Sequence, residues 1–325
     1  MALRAFARER PDSPSGGTLA GGLASALLFS AFLLVPALGP SFGFLFLLTM
    51  LAPFPLILVR LRHGLLSGLL SALMAASLVG GFFAGWAGLM FFTMFAVPGL
   101  LIGDGLARGR GLLRGCAWAF AALAVQIAAL LLASGAEIAQ ALTPLAEFRG
   151  ARVAELKAQG APSEVVEDFD EQAERVYDVM KVVYPGALFI VGALLVLANA
   201  VLLRAYLVRR DPGWLDGGEF EGIRWPLGFS LIFVLGGAAV ALPASRSFGY
   251  NVVLVVLFFY LLQGLAVVTY YARRLAGPPL LRLGLTFLVL LNPWAPQILA
   301  LVGLFDTWAD FRKYAKPPES GSGQN

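Results

Sequence analysis

Apolar residues along the chain gather in long unbroken runs, as in VVLVVLFFYLLQGLAVV from Val252, rather than alternating with polar ones. The period of two that a membrane β-barrel needs is missing. Eight runs, at 18–38, 42–60, 64–83, 86–106, 112–134, 184–208, 227–244 and 250–272, are each long enough to cross a hydrocarbon core of roughly 30 Å as a helix. A ninth region, 279–311, is interrupted by Pro293 and Pro296 in LNPWAPQ, which predicts a broken span or a hairpin of two short ones. Backbone in lipid must satisfy its own hydrogen bonds, so the expected fold class is an all-α polytopic transmembrane bundle.

Between the fifth and sixth runs the pattern changes. Residues 137–181 hold ten acids and five bases, a net charge of minus five. Val165, Phe169, Val176, Met180 and Val183 recur at helical steps, Ser163 is placed to cap a helix, and Thr143 before Pro144 starts a shorter one. A helical hairpin is predicted, read either as a solvated acidic face or as a lid over an outward-facing cavity. The chain thus divides into an N-terminal tail (1–17), five spans (18–134), the acidic insertion (135–183), the C-terminal spans (184–313) and a flexible tail (314–325).

Basic residues orient this arrangement, because Lys and Arg in short loops stay cytoplasmic. Arg4, Arg8 and Arg10, then Arg60 and Arg62, then Arg108, Arg110 and Arg114, then Arg204, Arg209 and Arg210, and finally Arg273 and Arg274 mark alternate loops. The loops near Pro40 and Gly85 carry no charge. Both termini are expected inside a bacterial cytoplasmic membrane, with the insertion outside. Composition agrees: 59% of the 325 residues are hydrophobic and 14% charged, and the mean hydropathy is +0.79.

One cysteine, Cys116, excludes an intrachain disulfide and thiolate zinc cages, and one histidine, His63, excludes histidine metal sites. No G-x-x-x-x-G-K-[ST] loop is present, so ATP-driven work would need a partner. No cofactor, metal or nucleic acid is expected. GDGLARGRG at 103–111 is similar to the DG-x-x-AR motif of membrane CDP-alcohol phosphotransferases, but it is one residue short and lacks the downstream aspartates in place. An enzyme is therefore not expected.

Small residues and amides are the remaining signals. Gly64, Gly68, Ala72, Ala76 and Gly80 stand at four-residue steps beside a second row of Ser67, Ser71 and Ala75, which predicts close helix packing. Ala20 and Ala24 form a further row, either packed internally or docked on a partner membrane subunit. Gln126, Asn199, Tyr260, Gln263, Asn292 and Gln297 fall near mid-depth, where they either line a small-solute site or bond between helices. Pro53, Pro55 and Pro98 free carbonyls nearby. Asp306 and Asp310, on one face of the last helix, are expected to clasp cytoplasmic arginines such as Arg273 and Arg274, with Trp308 at the interface.

The stretches YLLQGLAVVTYYARR from Tyr260 and GLFDTWADFRK from Gly303, with the helix count, resemble the YybS-like family of bacterial predicted membrane proteins. More distantly, the chain resembles the substrate-binding S components of energy-coupling-factor transporters. That likeness implies an Ala-x-x-x-Ala face, here Ala20 and Ala24, against a coupling subunit. Two functional readings follow: a non-enzymatic protein binding a small solute as an S-component-like subunit, or a structural or regulatory scaffold recruiting partners at its cytoplasmic rim. Its partners would be the lipid bilayer and a coupling subunit or a second copy.

Overall fold

The computed structural model describes residues 16–38, 48–133, 142–210, 220–274 and 294–315. Every secondary-structure element among them is helical: α1 (Gly16–Leu38), α2 (Pro53–Phe82), α3 (Gly85–Phe91), a π-helical turn (Phe92–Ala96), α4 (Val97–Ala107), α5 (Leu112–Ala133), α6 (Thr143–Ala158), α7 (Ser163–Arg210), α8 (Gly228–Ala241), α9 (Arg246–Arg274) and α10 (Ala295–Ala309). Short 3₁₀ turns sit at Phe220–Gly222, Pro243–Ser245 and Phe311–Ala315. Among the described residues, five helical segments are long and apolar enough to cross a membrane: Pro53–Phe82, Gly85–Ala107, Leu112–Ala129, Ser163–Arg210 and Pro243–Ala272.

The span count therefore differs from the eight expected. Residues 53–82 form one element, α2, in which a kink at Gly64 separates two helical stretches where the expected runs 42–60 and 64–83 divide. There φ is 89° and ψ is −179°, a conformation open to glycine. Two shorter apolar stretches, Gly16–Ala31 within α1 and Gly228–Ala241 (α8), add to the five long segments.

The chain forms two compact units, residues 1–135 with 188–218, and residues 136–187 with 219–325. In the first, the two small-residue rows of α2 serve two different neighbours. A Cβ on Gly88 of α3 would strike the Ala76 carbonyl, and one on Gly68 would meet Leu100 of α4 at 2.9 Å. The second row faces α1: Ser71 donates to the Thr18 carbonyl at 2.7 Å, and Gly22 backs onto Ser71. Water supplies no hydrophobic drive inside lipid, so such backbone approach is what holds helices together. Phe29, Phe91 and Phe95 fill the centre edge-to-face, with Phe29 at 5.2 Å from Phe91 and 4.9 Å from Phe95. The π turn precedes Pro98, whose ring cannot donate; the Val97 N–H reaches back to the Phe92 carbonyl instead.

The glycines of GDGLARGRG are explained by packing. Gly109 and Gly111 have φ of 67° and 88° and turn the chain from α4 into α5. A Cβ on Gly105 would lie 2.6 Å from the Gly115 Cα, so the two helices meet backbone to backbone.

In the second unit, α6 and the start of α7 form the expected hairpin, tied by Arg149 to Asp170 at 2.5 Å and to Glu174 at 3.3 Å. Further along α7, Pro185 cannot donate to the helical ladder. Asn251 of α9 repairs the ladder: its Oδ1 accepts from the Gly186 N–H at 2.6 Å, and its Nδ2 donates to the Val182 carbonyl at 2.7 Å. The closest crossing lies between α9 and α10. A Cβ on Gly264 would overlap the Leu299 carbonyl, and one on Gly303 would overlap the Tyr260 carbonyl.

Candidate functional site

The densest buried polar network lies beside that crossing. α10 ends at Asp310, whose φ of 45° and ψ of 62° reverse the chain into the last 3₁₀ turn. The reversal carries Arg312 back onto Asp306, six residues earlier, at 3.1 Å. The Asp306 side chain is fully enclosed. Its Oδ1 accepts from the Phe311 N–H at 3.0 Å, and its Oδ2 accepts from Gln263 Nε2 at 2.9 Å as well as from Arg312. Gln263 also accepts from the Trp225 N–H at 2.9 Å, while the Trp225 indole donates to the Phe259 carbonyl at 2.7 Å. Arg312 donates onward to the Ile223 carbonyl at 2.9 Å. A buried carboxylate is tolerable only when paired and hydrogen-bonded on both oxygens, and this one is.

Asp310 stands in a different setting. It pairs with Arg224 at 2.7 Å and Lys313 at 3.3 Å. Burial raises its carboxyl, but hydrogen bonds from Arg224 and Lys313 outweigh this and hold it below the ordinary range. Burial pushes Arg312 down from the usual guanidinium range. The clasp thus closes within the C-terminal motif and onto the segment 223–225. The side chains of Arg273 and Arg274 lie outside the described residues.

The other polar residues nominated by the sequence are distributed as follows. Tyr260 is buried and shares a hydrogen bond with Ser230 at 2.9 Å. Gln297 lies on the exposed side of the first turn of α10, and Asn292 is outside the described residues. In the first unit, Asn199 donates to the Leu195 and Met50 carbonyls, both at 2.8 Å. The Met50 bond compensates a local deficit: the Phe54 N–H, four residues on, bonds to the Leu51 carbonyl instead. Ser25 adds a hydrogen bond to the neighbouring Ala52 carbonyl. Gln126 is half-buried on α5. Ala20 is exposed and Ala24 half-buried, flanked by exposed Leu23 and Leu27, so their side of α1 is turned away from the core.

A second ion cluster went unpredicted as a unit. Asp104 binds Arg60 and Arg108, each at 2.6 Å, and Gly103 and Gly68 leave room for the Arg60 stem. Among the described residues no three His, Cys, Asp or Glu side chains are grouped to hold a metal.

Long apolar helices, backbone-level crossings and a buried Asp306–Arg312 ion pair define a multi-pass helical membrane protein. The chain belongs to the predicted membrane protein family DUF2232, whose model matches residues 23–307. No match was found to a curated protein or to a solved structure.

Proposed function

We propose that the protein is a non-enzymatic membrane scaffold of the bacterial cytoplasmic membrane that works by holding partners rather than by transforming a substrate. The observation carrying this reading is the use made of the interior polar groups. The amide nitrogens of Asn199 and Gln263, the Tyr260 hydroxyl and both oxygens of Asp306 each hold another part of the same chain. Both termini are cytoplasmic in this reading, α1 and α8 also insert, and the hairpin of α6 with the polar start of α7 lies outside. Support for the hairpin comes from length: α7 has 48 residues, a contour of about 70 Å, against a hydrocarbon core of roughly 30 Å. Crosslinking in native membranes followed by mass spectrometry tests the scaffold role: a reproducible protein partner supports it, and recovery of lipid alone overturns it. A C-terminal phosphatase fusion tests orientation, with activity in the periplasm counting against it.

A second reading, recognition of a small solute by an S-component-like subunit, has one observation in its favour. Oε1 of Gln126 and Oδ1 of Asn199 are both buried in the first unit without a hydrogen-bond partner, and a ligand bearing N–H groups would satisfy them. Thermal-shift screening of the purified protein against vitamins, nucleobases and amino acids decides this reading. A shift abolished by Gln126→Leu supports it, and no shift with any of them removes it.

A further inference from the structure

Charge in the first unit is concentrated at one end. Among its described residues Asp104 is the sole acid, against two arginines on α2, three around the turn from α4 into α5, and three on α7. Asp104 is shared by Arg60 and Arg108, so this triad keeps one positive charge. Arg60 is more than nine-tenths buried, and its Nε has no hydrogen-bond partner. A buried guanidinium N–H beside uncompensated positive charge is costly until an anionic acceptor reaches it.

Two further arginines belong to the same end of the unit. Arg62 donates to the Tyr206 hydroxyl, and its guanidinium lies 5.8 Å from the centre of that ring. The Arg110 N–H bonds the Gly105 carbonyl at 2.8 Å, which fixes the turn at the same end as Asp104. α4 stops at Ala107 and α5 starts at Leu112, so Asp104, Arg108 and Arg110 stand where apolar helices end, at the depth of lipid headgroups. Planar arginine forks match phosphate oxygens, and basic pockets between helix ends select anionic headgroups.

We propose that Arg60, Arg62, Arg108 and Arg110 form a binding site for the phosphate of an anionic phospholipid headgroup. The test is native mass spectrometry of the full chain, titrated with phosphatidylglycerol and, separately, phosphatidylcholine. The wild type should prefer phosphatidylglycerol. Arg62→Gln with Arg108→Gln keeps the Arg60–Asp104 pair and should weaken that preference at least about tenfold, whereas Arg246→Gln in the second unit should leave it unchanged. Arg110→Gln, an exposed position in the turn, gives a smaller loss of the same kind should the double variant fail to fold. An unaltered preference in the arginine variants, or an equal loss in Arg246→Gln, overturns the site. Inorganic phosphate is added as a separate arm: if it displaces phosphatidylglycerol at millimolar concentration, the ligand is free phosphate and the lipid assignment falls.

Discussion

Gln263 of α9 donates to Asp306 of α10 at 2.9 Å, one position away from the Gly264–Gly303 contact where the two helix backbones meet. The glycines allow the approach, and the polar pair fixes its register. Asp306→Asn removes the charge that faces Arg312 at 3.1 Å and breaks a buried ion pair, a change that costs about 3–5 kcal/mol. Unfolding of the detergent-solubilised protein should show that loss. Replacing Asp306 and Arg312 together by Leu and Met should recover much of it, and equal damage from the single and double variants would contradict the pairing.

Gly303→Ala should be severely destabilising, because the added Cβ would overlap the Tyr260 carbonyl and part α9 from α10. Gly237→Ala on α8 meets nothing within 4 Å and serves as its control, neutral or mildly stabilising. Comparing the thermal midpoints of the two variants separates backbone contact from any general intolerance of substitution.

Asn251→Leu should cost about 1–3 kcal/mol, since Val182 and Gly186 lose their polar partner beside Pro185. In a Pro185→Ala background the same substitution should cost less, as an unbroken ladder serves those groups itself. A double-mutant cycle measures the difference, and strict additivity would refute the repair.

Asp310 titrates below the ordinary carboxylate range because Arg224 and Lys313 outweigh the effect of burial. A lowered folded-state value means its stabilising contribution is complete above the unfolded value of about 3.9 and is lost as pH falls through the lower folded one. Asp310→Asn, which tolerates the same left-handed backbone, should therefore be less stable than the wild type at pH 6. In acid denaturation the gap should narrow as pH falls below about 3.9 and close only below the lowered folded value.

Run length made the helical class legible, and the turn residues Thr143 and Ser163 stand where α6 and α7 begin. The small-residue rows pointed to close packing and did not say that one row faces α3 and α4 while the other faces α1. Asn251 gave no signal, since its role depends on a proline 66 residues earlier in the sequence. Arg312 stood in plain sight beside Asp306, yet helical spacing hides a pair made only after the chain reverses at Asp310. Loop arginines report the side of a membrane, and partner choice follows from such reversals instead. For the same reason the pairing of Asp104 with Arg60, 44 residues away, was not legible in the sequence.

The hydrogen bond from Asn199 to the Met50 carbonyl has a consequence for biosynthesis. The two residues lie 149 positions apart, and the segment between them includes residues 136–187 of the other unit. At roughly 5–20 residues per second, the ribosome needs about 7 to 30 s to travel from one to the other. α2 to α5 are made within that interval while the Met50 carbonyl still lacks its amide, so completion of the first bundle waits on the arrival of α7.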